Sequence, residues 1–146
     1  MKAPGQIKTG KSFLEEDVSI GLQGAARLAE NIHADYVFPL DTFVSSAGPL
    51  DNQRFGDLPL GEGALIRAID SSTISPRHVW WRMVQITAKR GLSLQWGNSQ
   101  GGNDDSVFKV RGAVNIPLSW PRLYSHSFIE RIHCFDLETL TSLIVP

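Results

Sequence analysis

The chain has 146 residues, 42% of them hydrophobic and 20% charged, with a formal net charge of −1. That size and balance fit one globular domain with its own core and exclude a highly charged disordered chain. The near-neutral charge gives no bulk reason to expect a nucleic-acid or anionic-membrane partner, and Cys134, the only cysteine, rules out an intramolecular disulfide.

Residues 1–12 are polar and basic and read as an extended arm, with Lys8 and Lys11 as candidate contacts to another subunit; residues 13–146 read as a single domain. No apolar run follows the N-terminal lysines and no stretch is long enough to span a bilayer, so a cytoplasmic start is expected. Ser12-Phe13-Leu14-Glu15 has the pattern of a capping box. A helix is expected from Ile20 to about His33, because Leu22, Ala25, Ala26, Ala29 and Ile32 follow helical spacing. Residues 39–63 are rich in Pro, Gly, Asp and Ser and read as a long irregular connection of the kind that carries interactions. Ala64–Ile69 reads as a strand.

Residues 79–96 read as a β-hairpin. Lys89, Arg90 and Gly91 suit a three-residue loop with Gly91 left-handed, and Val84, Ile86, Ala88, Leu92, Leu94 and Trp96 then share one face. Val79, Trp81 and Met83 form a second apolar row on the opposite face, which marks them as candidate contacts to a partner subunit. Gly97–Ser106 reads as a loop into a strand over 107–118, and Trp120 as a surface aromatic for a sugar ring or a partner. Phe128–Phe135 reads as a last strand, with Asp136 capping a short turn beyond it.

Three motifs carry chemistry only in the right context. Gly5-Gln6-Ile7-Lys8-Thr9-Gly10-Lys11-Ser12 matches the phosphate-binding P-loop, but the four residues before it, ending in Pro4, cannot form the strand that loop requires. Gly97-Asn98-Ser99-Gln100-Gly101 resembles the nucleophile motif of lipases and cutinases, which would imply a catalytic Ser99; Gly102-Asn103-Asp104-Asp105 is poor sequence for the helix that must follow. Asn103-Asp104-Asp105-Ser106 clusters oxygen ligands suited to calcium without the EF-hand spacing, and the four histidines show no paired zinc spacing.

These features predict a mainly β, single-domain antiparallel sandwich or barrel with one N-terminal helix and an arm. The function they predict is a non-enzymatic structural or assembly subunit, acting by self-association or by docking on a larger scaffold. In architecture it resembles virion head or tail accessory proteins. No catalytic residue, cofactor or metal is expected. A glycan-binding module using Trp120, Trp80 or Trp81 is a second reading, and a serine hydrolase pairing Ser99 with His126 or His133 is a third.

Overall fold

The computed structural model describes residues 21–48 and 56–145. Lys8, Lys11, the arm, the capping box and the P-loop string all lie outside the described residues. In chain order the elements are α1 (Gln23–Asn31), β1 (Tyr36–Val37), β2 (Leu40–Val44), β3 (Ala64–Ile69), α2 (Arg77–Arg90), β4 (Leu94–Asn98), α3 (Ser106–Lys109), β5 (Val114–Asn115), β6 (Leu118–Arg122) and α4 (Cys134–Ile144). The architecture is mixed α/β with parallel strand pairs, which corrects the expectation of an antiparallel β sandwich.

The main sheet has the order β2-β6-β3-β4. β2 runs parallel to β6 and β3 parallel to β4, while β3 and β6 are antiparallel. β1 and β5 form a second parallel pair in the same offset as β2 and β6: Tyr36 lies opposite Val114, and Leu40 opposite Leu118. Pro39 therefore stands opposite Pro117, and the two ladders are one strand pair interrupted where neither residue has an N–H to donate. The amides of Val114, Ile116 and Leu118 donate to Asp35, Val37 and Pro39 across the break.

Paired residues share a face of the sheet. Ala64, Ile66, Ile116 and Leu118 meet Leu140 and Leu143 of α4, with Val79, Trp80 and Met83 of α2 packed alongside. On the other face Leu65, Phe43 and Leu58 form a separate cluster, and α1 packs Ala25 and Ala29 on Phe108 of α3. Tyr36, Phe38 and Leu40 extend the α2/α4 face but remain exposed.

The hairpin expected over 79–96 is instead helix α2 followed by β4. Val79, Trp80, Met83 and the buried Thr87 fall on one helical face toward the sheet, a period that outweighs the β-branched and aromatic content. Gly91 is left-handed as expected, with φ 66°, but it terminates a helix rather than turning a hairpin; its amide and that of Leu92 satisfy the last carbonyls. The strand expected over 107–118 is divided into α3, β5 and the start of β6. Phe128–Phe135 is not a strand: its one pairing is a bridge between Leu123 and Arg131, and α4 begins at Cys134. The helix expected over 20–33 is present as α1, and Ala64–Ile69 is β3 as expected.

α4 also fixes the entry to β3. Asp136, in its first turn and fully buried, accepts hydrogen bonds from the amides of Gly61 (2.9 Å) and Gly63 (2.7 Å). Gly63 has φ +99°, and a Cβ there would lie 2.5 Å from the Ser93 carbonyl oxygen, so only glycine fits beside β4.

Candidate functional site at the carboxyl ends of β2 and β6

In open α/β sheets, ligands bind beyond the carboxyl ends of parallel strands. Here the adjacent parallel strands β2 and β6 end side by side, joined one step further by the Ser45 amide donating to the Arg122 carbonyl (2.9 Å). The chain leaving β6 makes a tight loop closed by reciprocal backbone bonds between Leu123 and Arg131 (2.9 and 3.2 Å). Inside it, Tyr124 and His126 both have φ 61°. A non-glycine residue in the left-handed region costs about 1–3 kcal/mol, and such strain persists where surrounding contacts over-determine it.

Those contacts are polar. Glu130 accepts from Arg122 Nη1 (2.6 Å) through Oε2 and from the His126 amide (2.8 Å) through Oε1. Arg122 Nη2 donates to Ser125 Oγ (2.8 Å). Burial tends to raise the Glu130 carboxyl, but the His126 amide and Arg122 outweigh it and hold the group below the usual glutamate range. The His126 imidazole is left exposed at the strand ends.

A second polar assembly sits under the sheet. Arg67 of β3, 4% exposed, donates through Nε to Ser119 Oγ (3.1 Å) and through Nη2 to Asp41 Oδ2 (2.7 Å) and the Thr42 carbonyl. Its Nη1 lies 3.9 Å from Asp70 Oδ2. Asp70 Oδ1 accepts from the amides of Ser72 and Thr73, and Asn103 Nδ2 donates to Asp70 Oδ2. Thr73 Oγ1 donates to Asp105 Oδ1 (2.6 Å), while Asp105 Oδ2 and Asn115 Oδ1 are buried without a hydrogen-bond partner. Burial pushes the Asp105 carboxyl up to about 6, opposed by the Thr73 hydrogen bond and reinforced by the Asp70 charge.

The residues singled out from sequence fall in different places. Val79, Met83 and Trp120 are half-buried against the core, whereas Trp81 is 53% exposed on α2. Trp80 stacks on Trp96 (5.9 Å) and meets Trp81 edge-on (6.1 Å). Ser99 follows β4, whose carboxyl end lies at the opposite edge of the sheet from that of β6. The chain after Ser99 forms no helix until Ser106, so the elbow is absent, and Ser99 Oγ accepts from the Gly101 amide (3.1 Å). His133 caps α4, its Nδ1 accepting from the Phe135 amide (3.2 Å). Asn103 and Asp105 spend their side chains inside the protein rather than on an exposed loop tip. Among the described residues no group of three or more His, Cys, Asp or Glu is placed to hold a metal ion. None of the described helices is long and apolar enough to cross a membrane.

Comparison with known proteins gives this edge its context. The family model for M42 glutamyl aminopeptidases matches residues 3–143, and the chain belongs to that family. It is 31% identical over 139 residues to FrvX of Escherichia coli (strain K12), which bears the name of an aminopeptidase; the match covers 92% of this chain and 38% of FrvX. Among solved structures it is similar to the TET1 peptidase of Pyrococcus horikoshii, with 39% identity, TM-score 0.76, and coverage of 86% of this chain and 36% of that one. The aminopeptidase APDkam598 of Desulfurococcus kamchatkensis is similar at 26% identity and TM-score 0.79, over 88% of this chain and 38% of its own. The chain thus spans well under half the length of these relatives. Membership of a peptidase family overturns the expectation of a non-enzymatic structural or virion protein, and supports neither the glycan-binding nor the serine-hydrolase alternative.

The raised carboxyl of Asp105 sets a pH dependence. The folded state holds the Asp105 proton to about pH 6 while the unfolded chain releases it near 3.8, so between these values folding binds the extra proton and stability falls as pH rises. Asp105→Asn, which keeps an acceptor for Thr73 and adds a donor, should be more stable than wild type at pH 7.5. That advantage should shrink toward pH 4, as read by thermal melts across the range.

Proposed function

We propose that the protein acts as an aminopeptidase and that His126, presented by the strained loop beyond β6, is one of its catalytic residues. The observation that carries the reading is the geometry of that loop: two left-handed non-glycine residues, Tyr124 and His126, are held at the carboxyl ends of two parallel strands, and the second presents an exposed imidazole. Family membership supplies the reaction class, release of an N-terminal residue, and the family description points to glutamate as that residue. An imidazole serves such a reaction as a proton carrier or as a ligand to an electrophile. Because this chain corresponds to 36–38% of its relatives, further groups of the active centre belong to the remaining portion of such an enzyme.

The test is hydrolysis of L-glutamyl and L-leucyl p-nitroanilides by the full protein. His126→Ala should lower kcat/KM by about 100-fold or more with the circular dichroism spectrum unchanged, as loss of a catalytic imidazole does. Wild-type turnover retained in that variant would refute the assignment.

The protein is also proposed to self-associate. A TET1 peptidase that it resembles forms a dodecamer, and the exposed aromatic cluster of Trp81 and Trp96 beside Trp80 offers a surface for copies to meet. Because Trp81 is not part of the core, Trp81→Asp should remain folded and lose assembly by light scattering. An unchanged oligomer would place the contact elsewhere.

A further inference from the structure

The loop between β6 and α4 has little to hold it by packing. Tyr124, Phe128 and Ile129 are exposed, as are Glu130, Arg131 and Ile132, so the hydrophobic effect does not select its conformation. A segment with few buried contacts ordinarily samples many states. Yet this one holds two residues at φ 61° and returns to pair Arg131 with Leu123. Two local bonds help, the Ser127 amide donating to the Tyr124 carbonyl (3.1 Å) and Ser127 Oγ to the Ile129 carbonyl (2.7 Å), but one glutamate ties the loop to the strand end. The two carboxylate oxygens of Glu130 serve different ends of the loop, one taking the Arg122 guanidinium at the strand end and the other the amide of His126 itself. Arg122, half-buried on β6, is anchored by the sheet, and its second nitrogen takes Ser125, the neighbour of His126. The chain from 122 to 130 is thereby closed into a ring attached to the strand end, beside the buried Leu123.

We propose that Arg122 and Glu130 are positioning residues, whose clamp on the His126 amide fixes the direction of its imidazole for peptide hydrolysis. The inference rests on the proposed catalytic role of His126. Neither residue needs to touch substrate: their contribution is the loop's backbone conformation, transmitted to the ring through the His126 Cα. The carboxylate of Glu130 stays charged because the same two contacts hold it below its ordinary range. Gln in its place keeps an oxygen for the His126 amide but loses the ion pair; Ala loses both.

The experiment measures amide hydrogen exchange at residues 123–131 together with steady-state kinetics on the full protein, for wild type, Glu130→Gln, Glu130→Ala and Arg122→Lys, with His126→Ala as reference. In Glu130→Ala the His126 amide should lose its protection while the β3 and β6 amides keep theirs. Its kcat should fall by about 100-fold, the scale of a misplaced catalytic group, with KM changed far less. Glu130→Gln and Arg122→Lys should fall in between. If protection at His126 survives in Glu130→Ala, the clamp does not exist. If protection is lost and kcat is retained while His126→Ala is inactive, the clamp has no positioning role. If His126→Ala is fully active, the reading of His126 fails and the proposal falls with it.

Discussion

A single buried cation organises this sheet. Arg67 rises from β3, passes beneath β6 with a hydrogen bond to Ser119, and ends on Asp41 and the Thr42 carbonyl of β2. Three strands are laced by one side chain. A guanidinium with 4% exposure cannot remain there unless its charge is paired, and Asp41 on one side and Asp70 on the other provide the pairing. The Phe43 ring lies under the guanidinium at 5.8 Å, adding a cation–π contact. Because the backbone ladder of β2 in this sheet is with β6 alone, this side-chain tie adds to how firmly the parallel pair and its carboxyl ends are held.

Two consequences follow at opposite edges. At one, β2 and β6 end together, and the strained loop carrying His126 has a fixed base from which Arg122 can reach Glu130. At the other, burial and the neighbouring Asp70 charge push the Asp105 carboxyl toward the neutral form, against the pull of Arg67 and Lys109. The resemblance to TET1 and to other aminopeptidases covers the chain that builds this arrangement, and its carboxyl edge is where an α/β sheet carries chemistry.

Local chemistry is more legible in this sequence than topology. Ala64–Ile69 was recognisable as a strand because its apolar run is bounded by turn residues, and the alanine spacing of α1 showed a helix. The sequence marks Gly91 as left-handed without saying why, since a helix end and a bulged hairpin make the same demand on that glycine. Trp80, Trp81, Val79 and Val84 imitate a strand by composition; only contact with the sheet decides that Val79, Trp80 and Met83 face it from a helix. The prolines at 39 and 117 hid the strand pair by interrupting both partners at one level. Arg67 looked like an ordinary charge within β3, and its partners lie 26 and 52 positions away at Asp41 and Ser119, beyond any local signal. From sequence His126 enters only as one of two possible partners for Ser99, not as a residue of its own site. The one local sign was Glu130 four residues later, and its meaning depends on the bridge between Leu123 and Arg131.

The most direct test of the Arg67 tie is a double-mutant cycle between Arg67→Met and Asp41→Asn, measured by urea unfolding. Removing Arg67 alone should cost about 3–5 kcal/mol, since it strands a carboxylate beside the core. In the Asp41→Asn background the same change should cost less, leaving a coupling energy of about 1 kcal/mol or more. Additive losses, or an Arg67→Met protein as stable as wild type, would contradict the claim that this guanidinium holds β2 to the sheet.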